Sequence, residues 1–397
     1  MQLPESVAIR NLRLMDDCTV GENAAVAVIQ GKIAYAGPAA GLPAQPGLPY
    51  IDGQGWYAAP GFLELQLNGA YGYDFTGQPE SIPLVAARLA ESGVTAFLPT
   101  IITSPLEDYP SRLAAVAAAQ KSSEPGAKVL GAHLEGPFLN PASRGAHRAA
   151  LFCDPTLDAL RYFDPIAAVC LVTLAVERNG GLDAVRWLQA RGVTVSIGHS
   201  AATAEQAGQA FAAGVRYATH LYNAMPPLHH REPGLIGALL TDPSVRCGLI
   251  VDGIHSHPLM VDLAYRCKGA AGLTLVTDAI SAMGMPPGQY TIGGETVWVD
   301  GTAVRQSEGR LAGSVLSMDQ AVRNMVSYTG CSPAEAVCMA SATPAEVLGL
   351  GDRLGHLKPG FPADLVLLDP ALRVQATFVR GQAAFVTPQA QFEILEG

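Results

Sequence analysis

Four titratable side chains stand where short apolar runs of this chain stop. Glu135 follows the run at 129–134, His199 follows 193–197, His220 follows 216–219, and Asp278 follows 273–277. One carboxylate with two imidazoles is a common way to hold a catalytic divalent ion while leaving a position open. Glu135, His199 and His220 are therefore candidate ligands for one divalent metal per chain, a donor set that suits Zn or Fe. Asp278 is placed to take a proton from a water activated by the ion and to return it to a leaving group. Each residue also has a plainer reading: a hydrogen-bonded structural histidine, a carboxylate bracing the loop before Pro137, or an aspartate capping a turn. The combination is what points to chemistry.

The elements that must position these groups are legible in the hydrophobic pattern. Eight apolar or β-branched runs, at 62–67, 94–99, 129–134, 169–174, 193–197, 216–219, 248–251 and 273–277, read as buried strands. Ala- and Leu-rich stretches at 84–92, 111–120, 182–190 and 204–213 read as helices between several of them. That alternation predicts an α/β fold, a (β/α)8 TIM-like barrel with its chemistry at the C-terminal ends of the strands. Gln66 and Asn68 after the first strand, and His255 after the seventh, fall on the same side. Shorter β runs precede the barrel at 7–14, 25–29 and 32–36, with Gln30-Gly31 supplying a hairpin turn. Beyond Asp278 the pattern predicts a β-excursion at 290–306, helices at 318–329, 332–340 and 344–350, and β runs at 364–369, 374–379 and 382–386. The terminal runs predict a small β-sandwich built from both chain ends, with the barrel inserted: 1–58, then 59–356, then 357–397.

Composition narrows the function classes. Apolar residues make up 49% of the 397, enough for a large ordered core, and charged residues only 15%. The net charge of -10 excludes nucleic acid as the expected partner, because phosphate backbones are bound through basic surfaces. A small anion can still be held by a few local cations. Met1-Gln2-Leu3-Pro4-Glu5 lacks the basic and apolar regions of a signal peptide, and no apolar run is long enough to span a bilayer, so a cytoplasmic protein without membrane contact is expected. The seven cysteines form no C-x-x-C pair and read as reduced buried thiols.

The motifs His-Leu-Glu-Gly-Pro-Phe at 133–138, Gly-His-Ser at 198–200, Thr-His-Leu-Tyr-Asn-Ala-Met at 219–225, Val-Thr-Asp-Ala at 276–279 and Leu-Ala-Gly-Ser at 311–314 together resemble the N-acetylglucosamine-6-phosphate deacetylase family of the amidohydrolase superfamily. The resemblance spans nearly the whole chain. It implies cleavage of the acetamide of an amino-sugar phosphate, with His147 meeting the acetamido group as a catalytic partner of Asp278. Asn223 and Ala224 match positions that meet the sugar phosphate, His255 a substrate-binding histidine, and Ala146, Leu311, Ala312 and Gly313 the wall of the site. Arg231 matches an arginine that reaches the neighbouring subunit's substrate, which implies a homodimer. Many amidohydrolases carry His-x-His after the first strand and hold two metals; this chain has Gln66-Leu67-Asn68, so a single ion is expected, with Gln66 and Asn68 hydrogen-bonding around it. Two further readings remain: another N-acyl amino-sugar phosphate as substrate, or a barrel kept as a non-catalytic binding module.

Overall fold

Eight parallel strands follow one another around a barrel: Phe62–Leu67, Val94–Ile102, Ala132–Glu135, Val169–Leu174, Thr194–Ile197, Tyr217–Ala218, Arg246–Leu249 and Leu273–Leu275. Each pairs in parallel with the next. The ring closes just past the eighth strand, where the Asp278 N–H donates to the Gln66 carbonyl (2.9 Å) and the Asn68 N–H to that of Ala279 (2.8 Å). The structure, a computed structural model, describes residues 6–45, 47–164, 166–390, 392 and 394–395; the 1–5 segment and Pro46 of the link ahead of the barrel lie outside them.

The strands are rich in apolar and β-branched residues because helices cover the outside while side chains fill the inside. Every residue of Phe62–Leu67 and of Val94–Ile102 is buried. Burial of a side chain such as Phe62 or Phe97 stabilises the barrel by about 1.5–3 kcal/mol. The covering helices begin and end where local chemistry dictates. Ala204–Ala213 starts at a capping box between Thr203 and Gln206 and stops at Gly214, whose φ of 112° continues no helix.

A second sheet joins both chain ends. Tyr57–Pro60, the last strand before the barrel, pairs antiparallel with Leu365–Leu368 and parallel with Ser6–Asp16. The alternation of side chains along Leu365–Leu368 then serves two cores: Leu365 and Leu367 pack with Val7, Ile9 and Phe378 inside the terminal unit, whereas Val366 and Leu368 join the barrel core. Gln30-Gly31 turns the Thr19–Ile29 and Lys32–Pro38 hairpin as expected. The β-excursion is a three-stranded antiparallel sheet, Gly288–Ile292, Glu295–Val299 and Val304–Arg305, with a small core of its own. Among the described residues no helix is long and apolar enough to cross a membrane.

One expectation fails. Cys18 and Cys338 are joined in a disulfide, so the seven thiols are not all reduced. Scattered spacing concealed this pair because its partners are 320 residues apart and meet only when the hairpin turn at Cys18 packs on the helix Pro333–Ala340. His356, paired with Asp16 at 2.9 Å, and Lys358, paired with Asp17 at 3.3 Å, line the same junction. A crosslink that closes so long a loop removes much of the unfolded chain's freedom, typically worth about 2–4 kcal/mol. Cys338→Ser should therefore lower the melting temperature by roughly 2–5 °C, and reductant should lower the wild type to the same value. Scanning calorimetry that finds no difference would show that the pair contributes nothing.

Candidate active site

The third, fifth and sixth barrel strands deliver three lone-pair atoms to one point. Glu135 Oε1 lies 3.2 Å from His199 Nε2 and 3.1 Å from His220 Nε2, and the two imidazole nitrogens are 3.0 Å apart. His199 Nδ1 faces the Ser143 carbonyl at 2.9 Å and must carry a proton there, which leaves Nε2 of the neutral ring bare. One proton cannot satisfy three acceptors converging at these distances. Ligands held about 2.0–2.1 Å from a tetrahedral ion stand roughly 3.3 Å apart, so the observed spacing fits a single divalent cation. Glu135, His147 and His199 also bring ligand atoms within 4.8 Å of one another. His220 is nevertheless the better third ligand, because His147 Nε2 reaches only the second carboxylate oxygen, at 3.9 Å.

Electrostatics agree with the geometry. Burial alone would raise the Glu135 pKa, but the imidazoles of His199 and His220 beside it prevail and hold it well below the usual carboxylate range. Burial opposes protonation of His220, yet Glu135 overcomes it and raises that pKa. The cluster demands positive charge. Asp278 behaves oppositely: burial first, and then the charge of Glu135, pushes it up to about 6. His147 is pushed down to about 3, by burial first and then by His199, so it works as a neutral imidazole.

The backbone aims these groups through conformations that non-glycine residues rarely adopt. His199, His220, Ala224 and Asp278 have φ of 48°, 31°, 53° and 49°, a left-handed turn at the strand end that costs roughly 1–2 kcal/mol each. Gln66 Nε2 donates to Glu135 Oε1 and to Asp278 Oδ1 (both 3.1 Å), and Asn68 Nδ2 donates to the same aspartate oxygen at 2.7 Å. The two amides thus turn donors toward carboxylates. Asp278 Oδ2 receives no hydrogen bond from the described residues.

A cavity of about 270 Å³ opens over this floor, lined by Glu135, His147, His199, His220 and Asp278 and walled by Asn68, Ala146, Asn223, Ala224, His255 and Leu311 to Gly313. Every expected site residue therefore converges there except two. Gln66 lies beneath the floor, and Arg231 is exposed elsewhere, beside His230 at 2.9 Å. His255 Nδ1 pairs with Asp252 at 2.7 Å, which fixes its ring against the cavity.

A model of the amidohydrolase family matches residues 59–392. The chain belongs to that family. An N-acetylgalactosamine-6-phosphate deacetylase of Escherichia coli O157:H7 is 44% identical over 82% of this chain and 87% of its own. The N-acetylglucosamine-6-phosphate deacetylase of Homo sapiens is 42% identical over 86% of both. Among solved structures, a mutant N-acetyl-D-glucosamine-6-phosphate deacetylase from Mycobacterium smegmatis, in complex with N-acetyl-D-glucosamine-6-phosphate, superposes with a TM-score of 0.90 at 30% identity, covering 97% of this chain and 100% of that one.

Several residues that shape the site of this amidohydrolase escaped the sequence reading. His133 is wholly buried below Glu135 and sits in a polar chain: Thr100 Oγ1 to His133 Nδ1 (3.3 Å), His133 Nε2 to Thr173 Oγ1 (2.7 Å), Thr173 to Thr219 (2.7 Å) and Thr219 to Ser196 (2.6 Å). Glu177 accepts hydrogen bonds from Asn140 (2.8 Å), Ala201 N (2.7 Å) and Ser200 (2.6 Å), tying the loop after His199 to its neighbours. Arg305 and Arg310 of the β-excursion line the cavity. The inward period-2 positions carrying Thr173 and Ser196 were a usable signal; nothing local marked the others.

Gly145 illustrates how tightly the floor is built. A Cβ placed there would lie 2.8 Å from His199 Cε1, and φ is 54°. Gly145→Ala should therefore tilt the ring and weaken Zn²⁺ binding by about 10–100-fold while the melting temperature of the metal-free protein barely moves. Chelator competition giving wild-type affinity would contradict this account of the floor.

Proposed function

We propose that this amidohydrolase hydrolyses the acetamide of N-acetylglucosamine 6-phosphate to glucosamine 6-phosphate and acetate. The observation that carries this reading is the convergence of Glu135, His199 and His220 with Asp278 in one cavity, in a chain 42–44% identical to deacetylases of amino-sugar 6-phosphates. Glu135, His199 and His220 would hold one divalent ion, Zn or Fe. When bound there, the ion polarises a carbonyl oxygen and makes water a stronger acid.

The remaining work falls to the chain's own groups. Asp278, ionised, accepts a proton at Oδ2 from the attacking water, because Oδ1 is occupied by Gln66 and Asn68. The same carboxyl then protonates the departing amine, so that water is consumed and the C–N bond gives an amine and acetate. His147 hydrogen-bonds with Thr103 at 2.8 Å, and its neutral ring can then turn Nε2–H to the acetamido oxygen. Asn223, Ala224 and His255 bind the sugar phosphate, with Ala146 and Leu311 to Gly313 as walls.

Arg231 is proposed to complete the neighbouring site of a homodimer. Its support is an exposed position together with exposed Leu228, Leu259 and Leu263, at 45%, 71% and 36%, an unusual set of apolar side chains to leave in water. A cytoplasmic location accords with a metabolic role of this kind.

The galactosamine epimer is a second candidate substrate, because one relative at 44% identity is named for it. Acetate release should be rapid with N-acetylglucosamine 6-phosphate, weaker with the epimer and far weaker without the phosphate, and the protein should sediment as a dimer. Faster release from the galactosamine compound would transfer the assignment to it, and no release from any sugar phosphate would leave only a binding barrel.

The pH profile tests Asp278 separately. The base form is required, so kcat/KM should fall tenfold per pH unit on the acid side of the Asp278 pKa and level off above it. Burial and Glu135 place that pKa at about 6. A cation cancelling the charge of Glu135 lowers it, so the inflection should lie at or below about 6, and an inflection above 7 would rule out Asp278 as the base.

A further inference from the structure

The floor of the cavity cannot neutralise a phosphate. Glu135 and Asp278 bring two negative charges, and a divalent ion does no more than cancel them. The acetamide of the substrate sits on C2 and the phosphate on C6, which flank the pyranose ring on opposite sides. With the acetamide against Glu135, His199 and His220, the phosphate is carried away from the buried floor toward the rim. A partly desolvated dianion there is costly without a cationic partner.

Two guanidinium groups line that rim, both from the β-excursion. Arg305 is exposed and its Nη1 donates to the Gly309 carbonyl at 2.9 Å. Arg310 is better placed. It is half-buried, and its Nη1 is anchored on the Gly145 carbonyl at 2.8 Å. It stands where the catalytic cavity meets an adjoining groove of about 690 Å³, and Gly145, Ala224 and Arg310 belong to both. Its ion-pair partner is Glu308, at 3.7 Å, and that carboxylate is held more closely by Arg144 at 3.3 Å. The guanidinium therefore keeps donors free beside Ala224, and a guanidinium can bind two phosphate oxygens at once.

We infer that Arg310 binds the 6-phosphate of the substrate from within the same chain, making it a specificity-determining residue for the reaction. Phosphorylated sugar is then selected inside each subunit, and any arginine from a neighbouring copy adds to an existing cation. The inference rests on the deacetylase reading, and the test separates the two.

Calorimetric titration of the Zn²⁺-loaded protein with glucosamine 6-phosphate and with glucosamine reads the phosphate contact without turnover. Arg310→Gln should weaken binding of the sugar phosphate on the order of tenfold or more, and free sugar by a much smaller factor, with Arg310→Lys recovering part of the loss. The ratio of kcat/KM for N-acetylglucosamine 6-phosphate over N-acetylglucosamine should shrink by the same factor. Equal losses for phosphorylated and free sugars would mean that Arg310 only braces the Gly145 backbone, and the inference would fall. A wild type that binds glucosamine 6-phosphate but releases no acetate would instead sink the deacetylase reading and leave the phosphate contact standing.

Discussion

Three lone-pair atoms held about 3 Å apart on the floor of a barrel, with at most the His220 proton to share, are unstable company unless something positive lies between them. Glu135 Oε1, His199 Nε2 and His220 Nε2 are in that position, and the carbonyl of Ser143 prevents His199 from relieving the strain by changing its tautomer. A carboxylate and two imidazoles in low dielectric attract a cation strongly. The same site raises Asp278, since burial first, and then the charge of Glu135, opposes its ionisation. Cation capture and the raised Asp278 carboxyl thus both depend on this buried cluster, and a captured cation would draw the carboxyl back down. Neither would survive if the strands drifted apart by an ångström.

What prevents that drift lies below and around the ligands. The hydroxyls of Thr100, Thr173, Ser196 and Thr219 and the ring of His133 run across the second to sixth strands at 2.6–3.3 Å, all wholly buried. An apolar layer in that place would pack as well, but would not fix the register of neighbouring strands by direction. The left-handed backbone at His199, His220 and Asp278 is tolerated because this layer and the closing hydrogen bonds between Gln66 and Asp278 over-determine it. Local strain at the strand ends is offset by order in the strands beneath.

The barrel, its eight strands and the convergence of Glu135, His199, His220 and Asp278 were legible in the sequence for a physical reason. Strands buried on both faces are predominantly apolar or β-branched, and a charged or imidazole residue ending such a run has few structural duties. Contacts made by distant segments left no such trace. Cys18 and Cys338 meet across 320 residues, and Glu177 is one carboxylate among many until the loops holding Asn140 and Ser200 arrive beside it. The excursion was read as strands. That it forms a wall of the cavity, bringing Arg305 and Arg310 with it, depends on how it folds back over Ile102 and Ile280 to share their core. Hydrophobic periodicity gives an element's type and orientation, but not which neighbour it covers.

The amides at Gln66 and Asn68 show how a small change of residue type alters the chemistry of a strand end. Imidazoles at these positions would present lone pairs to a second cation. Carboxamides here present N–H groups, and the carboxylates of Glu135 and Asp278 take them up. Donors at 2.7–3.1 Å hold Asp278 in one orientation without cancelling its charge. A second ion bound to that carboxylate would have depressed its pKa and spent its lone pairs. A hydrogen-bonded aspartate keeps its charge and one free oxygen, so amides in place of imidazoles leave Asp278 able to act as a base under the proposed reaction.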